Sequence, residues 1–551
     1  MNTQKCFKKA LSIILSLALI LTAVPFAFAA EYDKTGATKL TFSNDGITAE
    51  KGSYSGYKIE GTALSIKDSG TYILSGECDD GSVTVKKGVK GVTLVLNGLT
   101  LTSSDTAPLT CKKSSEVTII AENGTVNTLT DAAYNNDDKH PENENAENAV
   151  IKCKDGSNVT LCGTGTLNVV SNGKNGIKSG ATTEDEGEAS LTIKDITLNI
   201  TTTVNDGINA EQLLNVESGN ITVSAEDDGL HCDRILNIGK EGTDGPVIRI
   251  TKSYEGIEGA EITVYSGDIE VHSSDDGVNA ANSDLNDYDF TMTFSGGKTV
   301  VYAETGDGLD SNGTITVTGG TLIVWTQNKS DNSALDSDNG IYISGGTVLA
   351  AGGSGGTGMK LSATQPCLVF GATRMGISGF IGNRPNGKPN EEPSDKPSDM
   401  PNDEPSDKPS DIPNGDPSDK PSDMPNGEPN GKPDEQRSLF GGDNLGIKAG
   451  ETMTLKDSAG NVLLEIEAPY EINSVVYSSS ELTAGDTYSV CVGAQEKASS
   501  TASTGDNIGS NSNCKCLCHR SGFFGFIWKL AIGVCKLFDF NKTCRCGAAH
   551  Y

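Results

Sequence analysis

Carboxylates recur along the middle of this chain at a spacing that can bind cations. Six tetrapeptides share the order acid or amide, glycine, aliphatic, polar. They are Asn175-Gly176-Ile177-Lys178, Asp206-Gly207-Ile208-Asn209, Asp228-Gly229-Leu230-His231, Glu255-Gly256-Ile257-Glu258, Asp276-Gly277-Val278-Asn279 and Asp307-Gly308-Leu309-Asp310. Looser copies flank them at Asn148-Ala149-Val150-Ile151 and Ser333-Ala334-Leu335-Asp336. The aliphatic positions 150, 177, 208, 230, 257, 278, 309 and 335 lie 21 to 31 residues apart. If each interval is one turn of a stacked chain, equivalent residues line up roughly 4.8 Å apart. With the aliphatic residue inward, strand alternation turns the preceding glycine and the following polar residue outward. The outward column then holds Asn209, His231, Glu258, Asn279, Asp310 and Asp336, with Asp206, Asp228, Glu255, Asp276 and Asp307 at the bend beside it. Unit charges that close repel by roughly 3 to 4 kcal/mol per pair at an effective dielectric near 20. Calcium, a hard cation that takes oxygen ligands, suits such a column, and Asp227 and Asp275 enrich two of its pockets. The competing reading is that these side chains only cap turns by bonding to backbone N–H groups.

Between the tetrapeptides run short period-two strands joined by glycine turns, as in Ile262-Thr263-Val264-Tyr265-Ser266-Gly267-Asp268-Ile269-Glu270-Val271. One fixed tetrapeptide returning each cycle is a solenoid signature, which a hairpin sandwich does not require. The expected fold is all-β, a right-handed parallel β-helix. Earlier coils are read at Val92 to Gly98 and Val117 to Ile120, with a cap near residues 40–75 and a polar loop over 131–147. Over residues 385–433 proline falls at every fourth position with almost no apolar residue, which predicts a disordered, solvated insertion. The resulting boundaries are a signal peptide over 1–29, the β-helix over 31–384 and the linker insertion over 385–437. Strands closing the helix follow over 438–494, then a flexible spacer over 495–513 and a cysteine- and histidine-rich tail over 514–551.

Lys5, Lys8 and Lys9 before an apolar run, then Ala27-Phe28-Ala29, read as a cleaved export leader, so the chain is expected at the cell surface or secreted, with no span in the mature form. A net charge of −31 argues against nucleic acid as a partner, because counterion release needs clustered Lys and Arg. Most of the scattered cysteines read as small core residues, though Cys111 and Cys153 could pair if neighbouring coils stack them. The tail places Cys514, Cys516, Cys518 and His519 on one side of an apolar stretch and Cys544, Cys546 and His550 on the other. That set could hold a structural zinc or form disulfides, and the apolar stretch could pack on a cell-envelope component.

Five segments carry a resemblance: Thr93 to Gly98, Asn127 to Asp131, Asp227-Asp228-Gly229-Leu230-His231, Ser253-Tyr254-Glu255-Gly256-Ile257-Glu258-Gly259 and Ser274 to Ala280. Over about residues 55–495 the chain resembles a bacterial family of secreted carbohydrate-binding domains. The resemblance implies a right-handed β-helix like that of polysaccharide lyases, bound calcium, and cell-wall polysaccharide ligands such as cellulose and polygalacturonate. The metal-site residues named above come from the columns, not from the resemblance. His231, Tyr265, Tyr302 and Trp325 are the candidate carbohydrate contacts, and neutral glucans would stack on the strand aromatics Tyr265, Tyr302, Trp325 and Tyr342. A lyase would need a base beside its uronate substrate, and arginine is scarce, with Arg234 the best placed. Binding without catalysis is the leading reading, against a uronate lyase or a structural, adhesive surface protein.

Overall fold

The computed structural model describes residues 32, 34–285, 287–328, 332–353, 360–371, 444–506 and 508. They fall in one compact unit, Met1–Gly376 with Gly442–Tyr551, while Ile377–Gly441 form a second unit outside the described residues. The expected export leader, the proline-rich insertion and the cysteine-rich tail likewise lie outside them. Among the described residues there is no helix; strands account for all regular structure.

Thirty-four strands join in one sheet, most of them paired in parallel. Through its middle each strand pairs with the one three elements further along, so every repeat supplies one strand to each of three ladders. Leu109–Cys111, Ala149–Cys153, Asn175–Ser179 and Ile208–Ala210 are successive members of the first. Ser190–Ile193 and Leu213–Val216 belong to the second, and Asn220–Ser224 and Val247–Lys252 to the third.

Alternation sorts the side chains. In the first ladder Ile177, Ile208, Leu230, Ile257, Val278 and Leu309 pair in register, each at most 1% exposed. In the third, Val169, Ile200, Val223, Ile250, Val271, Val301 and Val324 pair likewise, each at most 2% exposed. β-Branched side chains fit these positions because their restricted χ1 suits a pleated surface and they pack on one another along the stack. Each such burial contributes about 1.5–3 kcal/mol.

Three details differ from the sequence reading. The register pairs Ile151 with Ile177 and Lys152 with Lys178, so the first copy of the tetrapeptide is Ala149-Val150-Ile151-Lys152, one residue later than expected. The sequence reading anchored on Asn148, which instead sits in a positive-φ turn before the strand. Next, of the strands expected to close the helix only Ser474–Ser478 joins the large sheet, antiparallel to Thr347–Gly352 and Leu361–Gly371, and Ser503–Gly505 also pairs with Leu361–Gly371. Thr452–Asp457, Val462–Glu467, Thr487–Val492 and Gln495–Thr501 form a separate antiparallel sheet. Last, Gln495–Thr501 and Ser503–Gly505 are strands where a flexible spacer was expected from residue 495. Their polar composition hid a hairpin partner for Thr487–Val492, joined through a turn with Gly493 at φ 57.

The cysteines Cys78, Cys111, Cys153, Cys162, Cys232, Cys367 and Cys491 are buried free thiols, and Cys111 lies opposite Cys153 in the first ladder.

Candidate functional site

The tetrapeptide forms the bend between the third and first ladders and the opening of the first-ladder strand. Its glycine is not turned outward, as alternation had suggested. A Cβ on Gly207 would sit 2.4 Å from Val223 Cγ1, one on Gly256 2.2 Å from Val271 Cγ1, and one on Gly277 2.1 Å from Val301 Cγ1. The residue is therefore glycine for lack of space against the third-ladder stack, since alternation begins only after the bend. Its N–H donates to the carbonyl of the acid in the next repeat, as in Gly229 to Glu255 at 3.0 Å and Gly256 to Asp276 at 3.0 Å.

These contacts hold the acids in a column that is buried at Asp206 and Asp228 and half-buried at Glu255, Asp276 and Asp307. Asp206 is 3% exposed, Asp228 7% and Asn279 8%. Part of the capping reading holds. Asp206 Oδ1 accepts the N–H of Asp228 at 3.2 Å, Asp276 Oδ1 that of Asp307 at 2.6 Å, and Asp307 Oδ1 that of Ser333 at 2.5 Å. Backbone capping occupies one oxygen of each carboxylate, and the second oxygen of Asp206 accepts from Asn209 Nδ2 at 2.6 Å. The outward column follows register: Asn209, His231, Glu258, Asn279 and Asp310 stand opposite one another in sequence.

Burial pushes the carboxyls up from their ordinary range. Asp206, Asp276 and Asp310 rise to about 6, Asp307 to about 7 and Glu255 to about 8, with neighbouring carboxylates adding to the effect. Asp227, Asp228 and Asp336 are raised for the same first reason. At one point the column supplies its own cation. Burial disfavours charge on His231, but bonds to Asp228 at 2.9 Å, Asp233 at 2.9 Å and Glu258 at 2.5 Å outweigh it and hold the imidazole protonated. With its nitrogens so engaged, His231 belongs to the acidic column rather than to a free sugar-facing surface.

Two groups bring ligand atoms within 4.8 Å of one another: Asp206, Asp228 and His231, and Asp228, Glu255 and Glu258. Beside the second, Asn279 Nδ2 donates to Glu255 Oε2 at 3.0 Å, while its buried Oδ1 has no hydrogen-bond partner among the described residues. Three carboxylates and an unpartnered amide oxygen fit a hard, oxygen-seeking cation. Asp275 stands one residue before Asp276 and accepts a bond from the exposed Tyr254 phenol.

Sequence reasoning missed the other end of this column. Lys152 and Lys178 occupy the positions before Asn209, so the stripe runs from basic to acidic. Burial and the Lys178 charge pull Lys152 down to about 8, while Lys178 pairs with Glu211 at 3.3 Å. The repeated Ile-Lys at 151–152 and 177–178 was the available signal.

The aromatic candidates separate. Trp325 is 2% exposed, which corrects its assignment as a stacking surface. It lies opposite Tyr302 in the third ladder, but the late strands cover it in a second core with Val300, Leu349, Leu455 and Tyr477. Tyr302 remains half-buried, Tyr265 lines a shallow pocket of about 340 Å³ with Asn215, Asn237 and Lys240, and Tyr342 is 45% exposed. Arg234 is tethered to the Glu211 carbonyl at 2.7 Å.

Comparison with known proteins bears on this geometry. A family profile described as carbohydrate-binding domain-containing protein matches residues 60–358, more than half of the chain and the whole acidic column. A curated carbohydrate-binding domain-containing protein of Acetivibrio thermocellus is 33% identical over 140 residues, which cover 25% of this chain and 47% of that one. The chain thus spans about half the length of that relative. Among solved structures, a polysaccharide lyase-like protein from C. thermocellum, in a gadolinium derivative, aligns over 56% of this chain and 96% of its own, at 22% identity and a TM-score of 0.32. The family match rests on the segment that carries the tetrapeptides, and the chain belongs to the family of carbohydrate-binding domain-containing proteins.

Proposed function

We propose that this chain is an extracellular protein wound as a right-handed parallel β-helix, whose acidic column holds calcium and captures an acidic polysaccharide without cleaving it. Three parallel ladders fed in rotation support the winding, and parallel crossovers are right-handed in nearly all known cases. The export leader supports the location.

The observation that carries the reading is the group Asp228, Glu255 and Glu258 beside the unpartnered Asn279 Oδ1. Bound calcium would supply the positive charge this column lacks and coordination positions for a uronate carboxylate. The chain's own residues hold that arrangement rigid. Glycine N–H groups fix the acid carbonyls, and the ladder fixes the spacing. His231 pairs with Asp228 and Glu258, which leaves Glu255 of that group, with Asn279 and the acids after it, as the part in need of a cation. Arg234, with its guanidinium tied to a backbone carbonyl, is not free to take a proton from substrate.

The test is affinity electrophoresis of the full mature chain through polygalacturonate, in calcium and in chelator, with ultraviolet detection of unsaturated uronides. Calcium-dependent retardation without new absorbance supports the proposal. Growth of absorbance would replace it with a lyase, and equal mobility in both buffers would remove calcium from it. The cysteine-rich tail is proposed to be a zinc- or disulfide-held unit that tethers the chain to an envelope component, tested by metal analysis and thiol labelling with and without residues 514–551.

A further inference from the structure

Three aromatic rings from distant parts of the chain meet at the edge of the late strands. His272 and Tyr302 stand opposite each other in the third ladder, with ring centroids 4.6 Å apart and planes 8° from parallel. Tyr470, between Val462–Glu467 and Ser474–Ser478, completes the cleft. The cleft has a volume of about 340 Å³, and Ser253, Lys252 and Glu226 contribute to its rim. A pyranose ring has apolar C–H faces and a girdle of hydroxyls, so an aromatic wall with a polar rim matches it in both respects.

Several observations point to a ligand at this cleft. The Tyr302 and Tyr470 rings are half-buried, so each leaves part of its ring open to the cleft. The rings are set by ladder register and by packing against the second core rather than by a free loop, so the wall is preorganised. Charge then selects the class of sugar. Lys252 is paired with Glu226, and His272 Nε2 bonds to Glu270 Oε1 at 2.9 Å. Glu304 adds a further carboxylate to the lining, so no lysine is left free there to receive a uronate.

We propose that the His272–Tyr302–Tyr470 cleft is a second binding subsite, which takes a neutral pyranose unit of a polysaccharide and needs no metal. It rests on the reading of the chain as carbohydrate-binding but not on the acidic column. Its chemistry predicts binding without a cation, where the column requires one.

The experiment runs the full mature chain, Tyr302→Ala and Tyr470→Ala through two gels, one containing hydroxyethylcellulose with chelator and the other polygalacturonate with calcium. Thermal melts confirm that each variant folds, and Tyr470→Phe serves as a milder second variant. The expected result is retardation of the parent by hydroxyethylcellulose in chelator, weakened at least tenfold in both alanine variants and largely kept in Tyr470→Phe, with polygalacturonate retardation unchanged throughout. The proposal is overturned if the parent ignores hydroxyethylcellulose in chelator, or if folded alanine variants bind it as the parent does. Those outcomes leave the calcium reading standing where polygalacturonate is still retained. Loss of both retentions in the parent would end both.

Discussion

A single side chain decides how the acidic column is neutralised. His231 contacts Asp228, Asp233 and Glu258, and its own side chain is only 18% exposed. Replacing it with glutamine removes a positive charge and leaves three carboxylates facing one another, which should cost roughly 3 kcal/mol in chelator, at the low end of the range for a broken buried pair. Calcium should recover much of that loss if the column binds it. Denaturant midpoints of His231→Gln in the two buffers read both quantities, and a variant as stable as the parent in chelator would show that the imidazole carries no such load. The tetrapeptide glycine offers a sharper steric case. In Gly277→Ala the new Cβ would lie 2.1 Å from Val301 Cγ1 and 2.5 Å from the Gly308 carbonyl oxygen, so overpacking of about 1 to 3 kcal/mol is expected. A midpoint within error of the parent would mean that the ladders part easily at this bend.

The column as an element titrates together. Its buried carboxyls rise from ordinary values of 3.8 and 4.5 to between about 6 and 8. The folded metal-free chain then keeps protons that the unfolded chain has released, so the stability these groups contribute is full below about pH 4 and is lost as pH rises through their folded values. In chelator the melting temperature should fall from about pH 5 to about pH 8, and calcium should flatten that fall most at the alkaline end. A melting temperature that climbs with pH in chelator would contradict the burial on which the site is argued. This element was also the most legible in the sequence, because a repeated acid, glycine, aliphatic and polar order reports register directly. Where the order loosened, at Asn148 to Ile151, the reading slipped by one residue and hid Lys152, which stands beside Lys178 at the head of the stripe. Glycine orientation was misjudged for a related reason, since strand alternation does not extend through a bend.

At the scale of the whole molecule, what the sequence concealed is contact between segments far apart in the chain. In the third ladder Trp325 stands in line with Tyr302, next to the inward pair Val301 and Val324. No periodicity could announce that strands beyond residue 444 would lie over it, because that burial depends on a second sheet arriving from the far side of the proline-rich insertion. The same covering creates the cleft at Tyr302, where Tyr470 arrives and the sheet's edge leaves a ring half open. This makes tryptophan emission a reporter of the arrangement. The chain has two tryptophans, and ending it after residue 506 removes Trp528 and leaves Trp325 alone. That chain should emit at short wavelength and resist quenching by acrylamide, as a ring 2% exposed must. Ending it instead after Gly371 removes the covering strands and exposes an apolar surface with Val300, Leu349 and Phe370, so emission should move to the red and a hydrophobic dye should bind. If the shorter chain keeps the blue, unquenched emission, Trp325 is shielded by something other than the late strands, and the origin assigned to the aromatic cleft fails with it.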